Sequence, residues 1–344
     1  MPMQSTPTRS GARASLSLSA FTAPIRRDIN LTSCRALEDF VSLGRYNTNI
    51  GRVVEDLRII LPLNEGYPAH VVRNVLRLTP NIECLVLEVP TDSPVTLLNG
   101  LNFPSLRVFF TNLPHRALVA FLTTHSSLTS LALRACGRGA ICPLAGLELS
   151  HLVDLQCPSR CFVGITRGPL ATATVNLTRL TSIANFAIQS LSASRIHTLT
   201  VDCFSSDYDI LSRVVAAVPN LRKLKINEKH HPQRRHNHAR RPWNDLRGWH
   251  QALMQLRSLE ELMLRTLIPV CGPSRSESRV INGWARGVGQ HAVTHPSLFY
   301  IALIQKDMTP GSTGQLLSHW FKDHMGIWKR VSAASIGPTH SFTL

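Results

Sequence analysis

The stretch Leu221–Ile226, with the sequence LRKLKI, contains the pattern that decides the fold. Apolar residues occupy its first, fourth and sixth positions, and charged residues fill the positions between them. Side chains two residues apart in a strand point to the same face, so Leu224 and Ile226 would be buried while Lys223 and Lys225 face away. The stretch therefore predicts a strand with one buried face.

The same apolar frame, L-x-x-L-x-L with conservative replacements, recurs along most of the chain. Full copies begin at Val54, Ile82, Leu128, Ile196, Leu221, Leu259 and Leu298. Weaker copies, which lack the last apolar residue, begin at Leu106, Leu152 and Leu180. Most neighbouring copies start 22–28 residues apart, within the period of about 20–29 residues that is typical of leucine-rich repeats. The two longest intervals, 38 and 39 residues, indicate insertions.

Between the frames, apolar residues recur at helical spacing, for example in Val71–Leu76 and Ile210–Val218. A doubly wound α/β domain also alternates strands and helices, but its strands are near-continuous apolar runs, whereas polar residues alternate into these. We therefore predict an α/β fold over residues 25–311, a leucine-rich-repeat solenoid. Its parallel β-sheet would line the concave face, and its helices the convex face.

Three copies carry a family resemblance: LTSLAL at Leu128–Leu133, LRKLKI, and LEELML at Leu259–Leu264. With their loosely spaced helices they resemble the irregular repeats of fungal, especially basidiomycete, F-box and leucine-rich-repeat proteins. The segment Arg27–Ser42, RDINLTSCRALEDFVS, resembles the stretch that follows the F-box in such proteins. The resemblance implies a non-catalytic protein-recognition solenoid that selects substrates for a Skp–cullin–F-box ubiquitin ligase. Residues 1–24 lack the Leu-Pro-rich opening of an F-box. The resemblance therefore implies the recognition solenoid without the segment that docks the Skp adaptor.

The outward positions of the frames would form a ladder on the concave face, which solenoids commonly use to bind partners. The candidate partner-binding residues are Arg134, Asp202, Lys223, Lys225, Asn227, Glu261, Arg265 and Tyr300. Their mixed charges predict a protein partner. The alternative is a solvated sheet face that has no specific ligand.

The interval after Leu221 contains a basic loop insertion, residues 229–243, whose first fourteen residues read KHHPQRRHNHARRP. Its cationic residues are Lys229, Arg234, Arg235, Arg240 and Arg241. A solvated loop kept extended by charge repulsion is one interpretation. The alternatives are nuclear targeting, salt-sensitive binding to nucleic-acid phosphates, and metal binding by its four histidines. Trp243 alone offers an aromatic ring beside it, which disfavours recognition of bases.

Composition excludes several classes of protein. The chain has 344 residues, of which 44% are hydrophobic, enough for a large core. No apolar run is long enough for a membrane-spanning helix. The eight cysteines form no C-x2-C pair, so we predict reduced thiols, no metal, no cofactor and a cytoplasmic or nuclear location. Net charge is +16 with neutral histidines.

Motifs of catalysis are also missing from the sequence. It contains no G-x-S-x-G and no G-x-x-x-x-G-K. Gly287–Ala292 fits G-x-G-x-x-A, but no predicted strand precedes it. We therefore predict that the protein is not an enzyme.

The two ends of the chain differ from the repeats. Residues 1–24 predict a disordered basic tail, with a mitochondrial transit peptide as the alternative. Residues 312–344 would form a C-terminal cap and tail. Leu316, Leu317, Trp320 and Phe321 fit one face of a helix over residues 312–330, which would cap the solenoid.

Overall fold

The computed structural model describes residues 27–63, 66–90, 93–134, 136, 141–167, 169–177, 181–230, 241–271, 276–289, 293–306 and 314–331. Within these residues the fold is α/β, as predicted, with a mostly parallel sheet of thirteen strands and nine α-helices. No helix in this part of the chain is long and apolar enough to cross a membrane. The predicted tail at residues 1–24 lies outside the described residues.

The strands are β1 (Asp28–Leu31), β2 (Asp56–Ile60), β3 (Cys84–Glu88), β4 (Val108–Thr111), β5 (Ser130–Leu133), β6 (Glu148–Leu149), β7 (Asp154–Pro158), β8 (Thr166–Arg167), β9 (Thr172–Asn176), β10 (Thr198–Phe204), β11 (Lys223–Lys229), β12 (Glu261–Thr266), β13 (Tyr300–Lys306), β14 (Gln315–Lys322) and β15 (Trp328–Val331). The helices are α1 (Cys34–Tyr46), α2 (Asn49–Arg52), α3 (Ala69–Leu78), α4 (Val119–Thr124), α5 (Ser159–Phe162), α6 (Thr181–Gln189), α7 (Ile210–Ala217), α8 (Leu246–Gln255) and α9 (Glu277–Arg286). Short 3-10 segments lie at His115–Ala117, Ser190–Ala193 and Pro242–Asn244.

The strands of the large sheet lie side by side in chain order. Only β6 and β8 stand apart, as a separate two-stranded pair. All pairings from β1 to β13 are parallel, and β14 and β15 are added antiparallel at the end. This order lacks the reversal that defines a doubly wound sheet. The strands therefore follow a simple chain-order sequence across the sheet.

The apolar frame sets the register of the sheet. Leu131 lies beside Phe109 on one side and Leu155 on the other, and Leu224 lies between Leu199 and Leu262. All six of these side chains are fully buried. Since burying a large apolar side chain contributes about 1.5–3 kcal/mol, a shift of one residue in any strand would lose much of this stabilisation.

One weak copy of the frame was placed wrongly. The copy predicted from Leu180 falls at the start of helix α6, and Leu180 itself lies outside the described residues. The strand is β9, where Ala173 and Val175 are buried and Leu170 precedes them. A search for leucines overlooks this copy, because its inward residues are alanine and valine. Its alternating threonines and valine nevertheless favour a strand.

The helices cover one face of the sheet. Contacts join α1 to α3, and join each helix from α5 to α9 to the next one. Val71, Val72, Val75 and Leu76 form the buried stripe of α3, as their spacing predicts. These stripes and the inward strand residues belong to one continuous buried cluster. The helices therefore do not cover the opposite face of the sheet.

The predicted C-terminal helix over residues 312–330 is wrong, because this segment forms strands β14 and β15. Ser318 and Trp320 alternate into the buried side of β14, whereas Leu316 and Leu317 remain about half exposed. A short apolar run fits both helical and strand periods, and pairing with β13 decides between them. The hairpin covers the otherwise open edge of β13.

Two buried histidines, His125 and His295, link neighbouring repeats in their neutral forms. The Phe103 amide donates to Nε2 of His125 at 3.0 Å, and the Leu298 amide donates to Nδ1 of His295 at 3.0 Å. A ring nitrogen that accepts a hydrogen bond carries no proton. Burial lowers the pKa of both histidines below the ordinary value.

We expect replacement of inward leucines to destabilise the fold strongly. Leu131→Ala and Leu224→Ala should each reduce the free energy of unfolding by about 2–5 kcal/mol, because each leaves a cavity. Thr200→Ala, at an outward position of β10, should cost less than about 1 kcal/mol. Urea denaturation followed by circular dichroism measures all three, and equal losses would contradict the assigned faces.

We also expect stability to fall in mild acid. Unfolded histidines take up protons as pH drops through about 6.5, while buried His125 and His295 resist, so protonation favours the unfolded chain. Their contribution is complete above pH 6.5 and is lost as pH falls towards their lower folded pKa. His125→Gln should flatten the dependence of the urea midpoint on pH, whereas His197→Gln, at an exposed position, should not. Identical pH profiles for the two variants would refute this.

Candidate functional site

The eight candidate partner-binding residues lie on the outward rows of the sheet or directly follow a strand. They are Asp202 on β10, Lys223, Lys225 and Asn227 on β11, Glu261 and Arg265 on β12, Tyr300 on β13, and Arg134 just after β5. Lys223, Glu261 and Tyr300 are neighbours in one row, and Asp202, Asn227 and Arg265 in another. The structure thus brings seven of them together and leaves Arg134 elsewhere on the sheet.

Four of these residues are not accessible, which corrects the prediction of an exposed ladder. Asp202, Asn227, Glu261 and Tyr300 are each at most 9% exposed. Position on the outward row fixes the direction of a side chain, but it does not determine what other parts of the chain cover it. The sequence frame provides only the direction.

Tyr300 belongs to a second apolar cluster, on the face opposite the helices. It joins Met263, Ala302 and Ile304, and its ring lies 4.8 Å from that of Phe321 on the antiparallel strand β14. Its hydroxyl is hydrogen-bonded to Nδ1 of His319 at 2.7 Å. Burial raises the pKa of Tyr300 to about 12. Tyr300 therefore stabilises the hairpin and is not free for a partner.

Asp202 organises a polar group on β10 and β11. Its carboxylate accepts hydrogen bonds from Nδ2 of Asn227 and from the Leu177 amide, each at 3.2 Å. The Lys229 ammonium lies 3.5 Å away. In the neighbouring row Lys223 forms an ion pair with Glu261 at 2.8 Å. The charges of Asp202 and Glu261 are therefore each paired with a lysine of the same surface.

Lys225 and Arg265 are cations close to each other on this surface. Lys225 is half-buried, and burial, followed by the charge of Arg265, lowers its pKa. Arg265 is exposed. Arg265 therefore places an accessible positive charge on this surface.

An apolar strip on β3, β4 and β5 was not predicted as a site. Val86, Phe110 and Ala132 are neighbours in one outward row and are each partly exposed. The Arg134 guanidinium lies 4.8 Å above the Phe110 ring and pairs with Glu88 at 3.1 Å. The exposed Arg58 lies beside Val86 and borders the row on the β2 side. The frame that located the strands also identifies these outward positions.

The basic loop insertion is shorter than predicted. Lys229 ends strand β11, and Arg241 and Trp243 are buried. Arg241 donates to Glu228 at 2.8 Å, and both side chains of this pair are at most 4% exposed. Arg241 is therefore structural, which corrects its assignment to a solvated loop. Arg234, Arg235 and Arg240 lie outside the described residues.

Three cysteines and a histidine converge at the carboxyl ends of three neighbouring strands. His115 follows β4, Cys136 and Cys142 follow β5, and Cys161 lies in α5 after β7. Their ligand atoms all lie within 4.8 Å of one another. Nδ1 of His115 is 3.2 Å from Sγ of Cys142 and 3.5 Å from Sγ of Cys161. His115, Cys142 and Cys161 are at most 5% exposed, and Cys136 is partly buried.

The electrostatics of this group favour a thiolate at one position. Hydrogen bonds from Cys161 and His115 lower the pKa of Cys142. The Cys161 thiol, which donates to that sulfur and is buried, has a raised pKa, and burial also raises the pKa of Cys136. The prediction of no metal site rested on the absence of a C-x2-C pair. The fold instead joins Cys136-x5-Cys142 with residues about twenty positions before and after it, which spacing alone could not reveal.

Comparisons with known proteins leave the chain without an assigned family. No protein-family model matches it, and no curated protein matches it.

We expect Arg241→Ala to destabilise the fold by about 3–5 kcal/mol, because it leaves the Glu228 carboxylate buried without its partner. The matched control is Arg222→Ala, which breaks the exposed pair with Glu260 and should cost less than about 1 kcal/mol. Thermal and urea unfolding measure both. Equal, small effects would contradict a structural role for Arg241.

Proposed function

We propose that the chain is an irregular leucine-rich-repeat solenoid that recognises a protein partner through the face of its sheet opposite the helices. Chain-order parallel strands, one shared apolar frame and helices on a single face support this architecture. In this solenoid the helix-covered face is convex and the partner face is concave. The proposed activity is non-catalytic binding.

The observation that carries the proposal is the apolar strip Val86–Phe110–Ala132. Binding surfaces between proteins commonly have an apolar centre, depleted in charge, within a polar rim. Here the charged side chains around the strip are Arg58, which lies beside Val86, and Arg134, which lies over the Phe110 ring. Aromatic and arginine side chains are also the residues that most often dominate binding energy. Arg134 is held in place by Phe110 and Glu88, so less conformational entropy is lost when it binds.

The charge of the chain indicates the chemistry of the partner. With a net charge of +16, the chain attracts acidic surfaces at long range and accelerates their association. We therefore propose a protein partner that places apolar side chains on the strip and acidic side chains against Arg58 and Arg134. Selection of substrates for a Skp–cullin ubiquitin ligase is a further proposal, which rests on the resemblance to F-box and leucine-rich-repeat proteins alone.

Nucleic-acid binding through the basic loop is the alternative. Two of its five cationic residues are engaged within the protein, Lys229 with Asp202 and Arg241 with Glu228. Fewer cations are then left to neutralise phosphates, which weakens this alternative. Phosphate binding by Arg234, Arg235 and Arg240, which lie outside the described residues, stays a prediction.

The experiment is a quantitative affinity purification from the source cells with three versions of the full chain: wild type, Phe110→Ser and Phe186→Ser. Phe186 is 63% exposed on α6, on the helical face, and is the matched control. We expect at least one protein whose recovery falls about tenfold or more with Phe110→Ser, equivalent to about 1.4 kcal/mol, but not with Phe186→Ser. That protein, purified, should then bind the wild-type chain directly and bind Phe110→Ser more weakly.

Other outcomes distinguish the alternatives. If every recovered protein is insensitive to Phe110→Ser, the strip is not the binding surface and the proposal is wrong. Recovery that disappears after nuclease treatment and falls steeply with salt would favour nucleic acid. A Phe110-dependent set that includes a Skp adaptor and a cullin would support the ligase role.

A further inference from the structure

We propose that His115, Cys136, Cys142 and Cys161 bind one Zn²⁺ ion, which holds three consecutive repeats of the sheet together. The four residues lie in the segments that follow β4, β5 and β7 at the carboxyl edge of the sheet, and none of them belongs to the apolar strip. The proposed metal site does not depend on the proposed function.

The spacing of the ligand atoms fits a tetrahedral zinc site. Zn–S bonds of about 2.3 Å and Zn–N bonds of about 2.0–2.1 Å place a nitrogen about 3.5 Å from a sulfur, and two sulfurs about 3.8 Å apart. The distances of Nδ1 of His115 from Sγ of Cys142 and Cys161, 3.2 and 3.5 Å, agree with this. All four ligand atoms lie within 4.8 Å of one another, so the longest separation exceeds the sulfur–sulfur distance of a zinc site by at most about 1 Å.

The chemistry of the donors also points to zinc. Three thiolates and one imidazole form one of the recurrent donor sets of structural zinc sites. Sulfur ligands in a tetrahedral arrangement select soft or borderline ions over calcium and magnesium, which prefer oxygen. Four protein ligands leave no open coordination position, so the ion would stabilise structure and would not activate a water molecule.

The burial of His115 is a second, independent observation. His115 is 1% exposed, and among the described residues its Nδ1 is paired with the sulfur atoms of Cys142 and Cys161, which are weak hydrogen-bond partners. Nε2 has no hydrogen-bond partner among the described residues. A buried polar ring without a strong partner is costly, and a bond from Nδ1 to a metal ion would offset that cost.

The place of the cluster in the fold explains what the ion would stabilise. Helices α6 to α9 have eight to ten residues, whereas α4 has six and α5 only four. Between β5 and β7, the described residues form turns and the two-residue strand β6 instead of a helix. The apolar helical layer is therefore thin where the ligands converge. A metal ion that cross-links these loops would replace part of the missing helix packing.

Metal analysis of the purified full chain tests the proposal. The chain is made without a histidine tag, purified in reducing buffer and analysed for zinc by mass spectrometry. We expect the wild type to contain about one more zinc ion per chain than Cys142→Ser does, since one ligand is removed. Cys203→Ser is the matched control, because Cys203 is equally buried on β10 and outside the cluster. It should retain the wild-type zinc content.

Cobalt substitution gives a test that does not require a folded variant. Refolding the wild type with Co²⁺ should produce intense visible d–d bands and a thiolate-to-cobalt charge-transfer band, as expected of a tetrahedral sulfur-rich site. Cobalt bound by the histidines of the basic segment, without a thiolate ligand, would give no such charge-transfer band. Adding Zn²⁺ should abolish the bands and raise the melting temperature above that of the metal-free chain.

Three results would overturn the proposal. The first is wild-type protein that takes up no zinc and shows no charge-transfer band with cobalt. The second is a disulfide within the cluster in protein kept under reducing conditions. The third is iron with inorganic sulfide in place of zinc.

Discussion

Burial of the same two inward positions in successive parallel strands is the constraint on which the rest of this structure depends. Neighbouring strands align these positions in register, from Leu57 on β2 through Leu131 on β5 to Ile301 on β13. Since side chains alternate between faces, a slip of one residue would bury the outward charges and expose the core. Each strand therefore fixes the register of the next.

This constraint applies to one face only, which leaves the other face and the strand ends free to vary. On the outward face the sheet carries an apolar strip around Phe110 in one region and a closed polar group around Asp202 in another. At the carboxyl ends it carries the cluster of His115 and three cysteines. The inward rows thus form the shared core, whereas the proposed binding and metal sites lie on the outward face and at the strand ends.

The inward rows could be predicted from sequence because burial there follows a fixed period. Within the large sheet, the frame located the strands from β2 to β13 correctly except for β9, where Ala173 and Val175 replace the expected leucines. At the C-terminal end, Leu316 and Leu317 fit a helix equally well, and only pairing with β13 makes the segment a strand. When only pairing with a distant strand decides between a helical and a strand period, the local sequence does not predict which element forms.

The sites were harder to predict than the fold, since they depend on contacts between residues distant in sequence. The sequence predicts that Arg241 belongs to a solvated basic loop, but Arg241 is buried in an ion pair with Glu228 on the preceding strand. Tyr300 lies on the outward row, as expected, yet Phe321 from the hairpin packs on it. His115 and Cys161 are 46 residues apart, and only the stacking of successive repeats brings them together.

Amide hydrogen exchange on the full chain tests the central claim, a single in-register sheet, most directly. The account predicts slow exchange that continues without a break from β2 to β13, including the central strands β5, β7 and β9, where the helical layer is thin. Fast exchange in these three strands, with protection on both sides, would divide the sheet in two and contradict the account.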